Sequence, residues 1–326
     1  MTYADRSGDA DQRLKRRGIL GDALFQAGRV DEALRLWQQA EQMQAESQPD
    51  YPLLYSTGGF RYCDLLLAAP ERAAWQRVLE SRASVLECAS PLALSGGVAG
   101  AEEPSASEGK SGRGLPHSKT LREVRERAAQ TLKWAQQHLG LLDNALDHLT
   151  LGRAALYAAI LESCRSRREE AQTSAADRQS LLTSAPTVAP ARRELDAAVS
   201  GLRRAGTQHN LPWGLLTRAW LRSLTGALTG PESAQSDLDE AWEIAERGPM
   251  PLFLADIHLH RARLFGKQKA ESREQKWESG ERKEAAAYPW ESPQADLAAA
   301  RRLIKKHGYL RRQEELADAE QASKSW

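Results

Sequence analysis

The chain has 326 residues, with 45 lysines and arginines against 44 aspartates and glutamates. Its formal charge of +1 creates no overall field that would attract nucleic acid or an anionic membrane, so such partners would need a local basic patch. There is no run of about 18 apolar residues and no apolar segment of the signal-peptide type near the start, so we expect a cytoplasmic protein without a membrane partner.

The residue types favour helices throughout. Ala, Leu, Glu, Gln and Arg dominate the periodic stretches, whereas runs of Val, Ile and Thr, which suit a β-sheet, are almost absent. We therefore predict an all-α fold. Segments near residues 90–118, 166–188 and 270–288 consist almost wholly of polar and small residues, and they are predicted to be long disordered insertions because they have too little apolar surface to pack.

In chain order, the sequence predicts a single domain of about five helical hairpins and a terminal helix at 309–322. The hairpins are expected near 9–47, 51–138, 141–204, 211–247 and 250–307. The second helices of the first four share a stripe of alanine, a bulky residue four positions later and alanine three further on. It occurs at Ala33-Trp37-Ala40, Ala128-Leu132-Ala135, Ala191-Leu195-Ala198 and Ala234-Leu238-Ala241. These positions share one helix face, where the small residues let a neighbouring helix approach closely.

The first hairpin carries the most specific positions, which are Leu20, Gly21, Leu24, Gly28, Ala33, Trp37 and Ala40. With these residues the chain resembles the tetratricopeptide (TPR) repeat family, which has a Leu-Gly pair, a turn glycine and an Ala-aromatic-Ala second helix at the same places. The resemblance implies a right-handed α-solenoid whose concave side is lined by the first helix of each hairpin and binds a protein or peptide.

Longer phrases, such as DALFQAGRVDEAL and QHNLPWGLLTRA, are similar to the TPR-like C-terminal regions of bacterial multidomain signalling NTPases. This second resemblance implies a sensor region of a bacterial signalling protein. The chain is then either a protein of its own or part of a longer one with an N-terminal NTPase or effector domain, and the residues leave both readings open.

The predicted concave face is rich in tryptophan, tyrosine and arginine. Trp213 and Trp220 lie seven residues apart on the first helix of the fourth hairpin, and the equivalent positions of the neighbouring hairpins carry further candidates. Aromatic and arginine side chains dominate binding hot spots. The predicted partner-binding site therefore consists of Arg153, Tyr157, Trp213, Leu216, Trp220 and Arg263. The alternative interpretation is that these residues only pack successive hairpins together.

No motif in the sequence indicates catalysis, a cofactor or a metal. The GKS at 109–111 has the form of a phosphate-loop end, but Pro104 stands where the leading glycine is needed. His258 and His260 lie on different helix faces. The polar group of Asp143, Asp147 and His148 lacks a nucleophile and is expected to lie at the surface or to form interhelical hydrogen bonds. We therefore expect no enzymatic activity, no cofactor and no small-molecule substrate.

The leading hypothesis is a non-catalytic scaffold or sensor that binds a protein or peptide. An RNA-binding helical repeat protein is the alternative, and an enzyme with an unrecognised site is the third. RNA binding would need basic pairs such as Arg203-Arg204 and Lys305-Lys306 to cluster on one face without carboxylates. Acidic residues are interleaved with most such pairs, which disfavours nucleic acid as the partner.

Overall fold

The computed structural model describes residues 9–87, 115–138, 140–169, 185–266 and 288–326, and these residues form eleven α-helices and no strand. The all-α class predicted from the sequence is therefore confirmed. In chain order the helices are α1 (Ala10–Gln26), α2 (Val30–Ser47), α3 (Ser56–Glu87), α4 (Leu115–His138), α5 (Leu141–Glu169), α6 (Ala185–Arg204), α7 (Leu211–Leu224), α8 (Ala234–Arg247), α9 (Pro251–Phe265), α10 (Pro293–His307) and α11 (Gln313–Ser323). Short 3₁₀ turns at Gln208–Asn210 and Leu310–Arg312 precede α7 and α11.

Helices extend into the margins of two predicted insertions. α4 begins at Leu115, α5 continues to Glu169 and α6 begins at Ala185. Both α4 and α6 start with a residue followed by proline, which the first helical turn tolerates because its N–H groups need no partner within the helix. The predicted bounds of the first two insertions, 90–118 and 166–188, are therefore wrong at these edges, where the chain is helical. Tyr288, the last residue of the third predicted insertion, is also described; it is half-buried and its hydroxyl donates to Asp296. The remaining residues of the three insertions, and the GKS at 109–111, lie outside the described residues.

Local signals set several helix starts. Asp9 accepts hydrogen bonds from two first-turn amides of α1, at 2.9 and 3.2 Å. Ser233 and Ser292 cap α8 and α10 by accepting from the amides of Ser236 and Ala295. Each of these bonds satisfies a backbone N–H group that has no acceptor within its helix.

The alanine stripes lie at the contacts between helices. Eleven of their twelve residues are buried, and Leu132 is half-buried. A Cβ atom added at Gly21 of α1 would lie 3.0 Å from Nε1 of Trp37 in α2, and one added at Gly152 of α5 would lie 2.7 Å from the side chain of Leu195 in α6. The bulky stripe residue therefore packs directly on a glycine of the preceding helix in both pairs.

The helices pack mainly on their neighbours in sequence. The most extensive contacts are between α1 and α2, α4 and α5, α5 and α6, α7 and α8, and α9 and α10, while α3 also packs on α5. The largest hydrophobic cluster runs from α3 to α9, and smaller clusters lie at each end of the chain. None of the described helices combines the length and the hydropathy needed to cross a bilayer.

The C-terminal segment returns to the N-terminal part of the chain. α11 packs on α3, where Nε of Arg72 lies 2.8 Å from a carboxylate oxygen of Asp318 and Gln76 donates to the same carboxylate at 3.1 Å. Leu310, in the 3₁₀ turn before α11, lies beside Gly28 at the end of α1. These contacts join residues more than 240 positions apart, and no local pattern in the sequence predicts them.

Candidate functional site

A cavity of about 420 Å³, called the central cavity here, lies between alternate helices. Its lining comes from α1, α3, α5, α7 and α9, from the residues just before α7 and α9, and from residues 309–312. No lining residue in the described part of the chain belongs to α2, α4, α6, α8 or α10. The helices that surround the cavity are thus the first helices of the five predicted hairpins, and its volume lies within the range of about 300–1,000 Å³ that is usual for ligand pockets.

Five of the six residues predicted as the binding site line this cavity, namely Arg153, Tyr157, Trp213, Leu216 and Trp220. Arg263 does not, and its predicted position on the accessible concave face is wrong. Its side chain is 1% exposed, its guanidinium donates to Glu315 at 3.0 Å, and it lies 4.7 Å from the centre of the Trp75 ring. The reason is that α11, which carries Glu315, covers this part of α9.

Aromatic side chains form one wall of the central cavity. Trp213 is half-buried, with its ring centre 4.8 Å from that of Phe60 and 5.3 Å from that of Phe253. Trp220 is only 1% exposed and stacks on Trp75 of α3, with 3.6 Å between the ring centres and 9° between the ring planes. Trp220 therefore serves helix packing as well as lining the cavity, whereas Trp213 is the more accessible tryptophan.

Ion pairs form another part of the lining, in which four guanidinium groups face four carboxylates. Nη2 of Arg153 lies 2.8 Å from both Asp64 and Glu71. Arg311 pairs with Asp64 at 2.5 Å, and Arg312 pairs with Glu71 at 2.9 Å. The remaining members are Asp256, which pairs with Arg312 at 2.9 Å, and the more exposed pair of Asp22 and Arg61.

The arginines keep the buried carboxylates ionised. Burial alone would raise the pKa of Glu71, but Arg312 and Arg153 outweigh it and lower this pKa to about 2. Burial likewise opposes ionisation of Asp64, yet Arg311 and Arg153 hold its pKa below the usual range. At neutral pH the positive and negative side chains of the lining therefore balance each other.

Several uncharged polar groups of the lining have no hydrogen-bond partner among the described residues. These are Nε1 of Trp220, Oε1 of Gln26, the side-chain amide of Asn210 and Nε2 of His260. Nδ1 of His260 lies 2.8 Å from the backbone oxygen of Asp256, which can only accept, so Nδ1 carries the proton. Burial lowers the pKa of His260 to about 4, so the ring is neutral and Nε2 is an acceptor.

Sequence reasoning missed the acidic half of the ion-pair network and the two arginines of the C-terminal segment. One signal was present, because Asp64 and Glu71 lie seven residues apart on one face of an otherwise apolar stretch of α3. A carboxylate in such a stretch needs a buried cation. No local pattern identifies Arg311 and Arg312 as those cations.

Two other polar groups, His258 and Asp147, have structural partners, and one buried cysteine is unreactive. His258 lies 2.5 Å from Asp296, and the hydroxyl of Thr131 in α4 donates to Asp147 of α5 at 2.7 Å, which is an interhelical hydrogen bond. Cys63 is buried, and burial raises the pKa of its thiol to about 12, so the thiolate needed for nucleophilic chemistry is scarce. In the described part of the chain no group of three His, Cys, Asp or Glu side chains is placed to hold a metal ion.

No protein-family model, curated protein or solved structure matches this chain.

Proposed function

We propose that the chain is a non-catalytic scaffold or sensor, built as a TPR-like α-solenoid, that binds a protein or peptide in the central cavity. The observation that carries this proposal is the convergence of five residues, selected from sequence composition and spacing, on one cavity. The lining by alternate helices supports the solenoid, because the first helices of stacked hairpins face the concave side of such an array.

The size of the cavity favours a partner that inserts a segment. A volume of 420 Å³ takes roughly one or two side chains and cannot hold a folded surface. Trp213, Phe253 and Leu216 offer apolar surface to such an insert. The N–H groups of the lining arginines can fix the orientation of the inserted segment. We therefore propose an exposed or extended peptide segment as the ligand. That the protein is cytoplasmic and bacterial is likewise a proposal, the second part of which rests on the resemblance to bacterial signalling NTPases.

The contacts of the basic pairs weigh against the RNA alternative. Arg193 lies 2.9 Å from Glu194, and Arg203 lies 2.5 Å from Glu240. A carboxylate beside each guanidinium lowers the positive potential that binding to a phosphate backbone requires. RNA binding is therefore not proposed.

Peptide binding can be tested by selection from a displayed library of random peptides. The selected peptides are then synthesised and their affinities are measured. Trp213→Ala should weaken their binding by about fivefold or more, because an aromatic hot spot contributes at least about 1 kcal/mol. The matched control is Ile19→Ala, which removes an apolar side chain that is 69% exposed on α1 and does not line the cavity. Its binding should be unchanged, and both variants should keep the helicity of the wild type.

Two results would overturn the proposal. One is the failure of the library to yield any peptide that binds the folded protein. The other is equal binding of the selected peptides by wild type, Trp213→Ala and Ile19→Ala, which would place the interaction elsewhere on the surface.

A further inference from the structure

The balanced charges of the central cavity select the net charge of what can enter it. Arg153, Arg311 and Arg312 are each already paired with a carboxylate, and their side chains are 7% exposed or less. A charged ligand group would have to break one of these pairs or add an uncompensated charge beside the buried cluster. Both are unfavourable, since a buried charge requires a partner. An uncharged group meets no such penalty.

Asn210 is an uncharged polar residue that is available to a ligand. It stands at the N-cap position of α7, where an asparagine side chain usually accepts from a first-turn amide. Here it makes no capping bond, although the residue is only 5% exposed. Pro212, at the second helical position, has no N–H group to offer it. Its amide carries both donors and an acceptor, and it lines the cavity without a partner among the described residues.

Two more lining groups extend this set. Nε1 of Trp220 is a donor without a partner in a residue that is 1% exposed, and Nε2 of the neutral His260 is an acceptor. A ligand with both hydrogen-bond donors and acceptors could pair with such groups, and buried polar groups normally have partners. An amide group meets this requirement.

Two helix starts lie in the same region. The cavity is lined by Asn210 and Trp213 at the start of α7 and by Leu252 and Phe253 at the start of α9. First-turn amides have no acceptor within their own helix, so they can donate to a ligand oxygen. A neutral carbonyl oxygen can accept from these amides as well as a carboxylate can. The amides therefore do not select the charge of the ligand; the balance of the ion pairs does.

We propose that the central cavity takes an uncharged aromatic residue of the partner peptide, with its ring against Trp213 and Phe253 and its amide group hydrogen-bonded to Asn210. This inference rests on the proposed function and names the part of the peptide that the cavity recognises. The aromatic preference follows from the wall of rings, which are 5.3 Å apart between Trp213 and Phe253 and favour offset or edge contacts with a further ring.

Three single-residue probes with the same ring and different charge test it. At about pH 6, N-acetylphenylalaninamide is neutral, N-acetylphenylalanine is an anion and phenylalaninamide is a cation. Binding is followed through the indole N–H signals of Trp213 and Trp220 in a ¹⁵N-labelled protein, assigned with conservative variants of each. The neutral probe should bind with a dissociation constant of about 1 mM and at least about fivefold more tightly than either charged probe.

Asn210→Leu provides the matched variant, because leucine has a similar size, adds no charge, and removes no capping bond, since Asn210 makes none. It removes the amide donors and acceptor, so the neutral probe should bind at least about fivefold more weakly while the melting temperature changes little. Unchanged binding of the neutral probe to this variant would remove Asn210 from the site. Ile19→Ala should bind all three probes as the wild type does.

The outcomes separate this inference from the proposed function. Equal or tighter binding of a charged probe at Trp213 and Trp220 would overturn the uncharged ligand and leave peptide binding in the cavity intact. No shift of either indole signal at about 20 mM of any probe would overturn the inference. If the library peptides also failed to bind, the proposed function would be refuted together with this inference.

Discussion

Arg312→Met should destabilise the protein strongly, because this guanidinium holds three buried carboxylates together. It lies 2.9 Å from Glu71 of α3, 2.9 Å from Asp256 of α9 and 2.5 Å from Glu315 of α11. Methionine retains much of the apolar stem and removes the charge, so the change isolates the ionic contribution from packing. Three carboxylates would then share the cations that remain.

The pKa of Glu71 gives the scale of the effect. Burial raises it, but Arg312 first and Arg153 second lower it from 4.5 to about 2. This difference corresponds to roughly 3 kcal/mol of stability at neutral pH, and breaking a buried ion pair from one side typically costs about 3–5 kcal/mol. Because the folded pKa lies below the unfolded one, the contribution is fully present above about pH 5 and is lost as the pH falls towards 2.

The matched control is Arg72→Met, which also removes an arginine that joins α3 to α11. Its guanidinium pairs with Asp318 and Glu314 but is 33% exposed, so we expect a loss of at most about 1 kcal/mol. Urea unfolding followed by circular dichroism should show a loss of about 3–5 kcal/mol for Arg312→Met at neutral pH and a smaller loss near pH 4. Losses below about 1 kcal/mol in both variants would refute a stabilising role of the network.

Two further predictions concern helix contacts. Gly21→Leu should destabilise the protein by roughly 1–3 kcal/mol, because even a Cβ atom at this position would lie 3.0 Å from Trp37. Gly58→Leu is the control and should change stability little, since nothing lies within 4 Å of a Cβ atom there. Similar thermal midpoints for the two variants would mean that Gly21 is not at a tight contact. Burial raises the pKa of Asp147 to about 7, despite the hydrogen bond from Thr131, so its ionised form disfavours folding as the pH rises above about 4. Asp147→Asn should therefore stabilise the protein at about pH 8 and flatten the pH dependence of the melting temperature between about pH 4 and 7. A steeper dependence in the variant would contradict this.

The features that the sequence predicted are those encoded by local spacing. Alanine, a bulky residue and alanine at i, i+4 and i+7 specify one helix face whatever the rest of the chain does. That is why the stripe residues are buried, and why Trp37 meets Gly21 and Leu195 meets Gly152. The same periodicity placed Trp213 and Trp220 on one face of α7, and both line the central cavity.

The ion-pair network could not be predicted in this way, because its partners are distant in the chain. Arg312 and Glu71 are 241 positions apart, and Arg311 and Asp64 are 247 positions apart. An arginine pair near a chain end has the same local sequence whether it is solvated or buried. Only the return of the C-terminal segment to α3 decides between these states.

Arg153 and Arg263 show that a local sequence pattern does not predict whether a side chain is accessible to a ligand. Both were assigned to the same face from the register of their hairpins, and both are buried arginines paired with a glutamate. Arg153 lines the central cavity, whereas Arg263 lies behind α11, which supplies Glu315 as its partner. Helical register therefore specifies the direction in which a side chain points, but its access to a ligand depends on the segment that covers it. In this chain the C-terminal segment decides both which arginines line the cavity and how their charges are balanced.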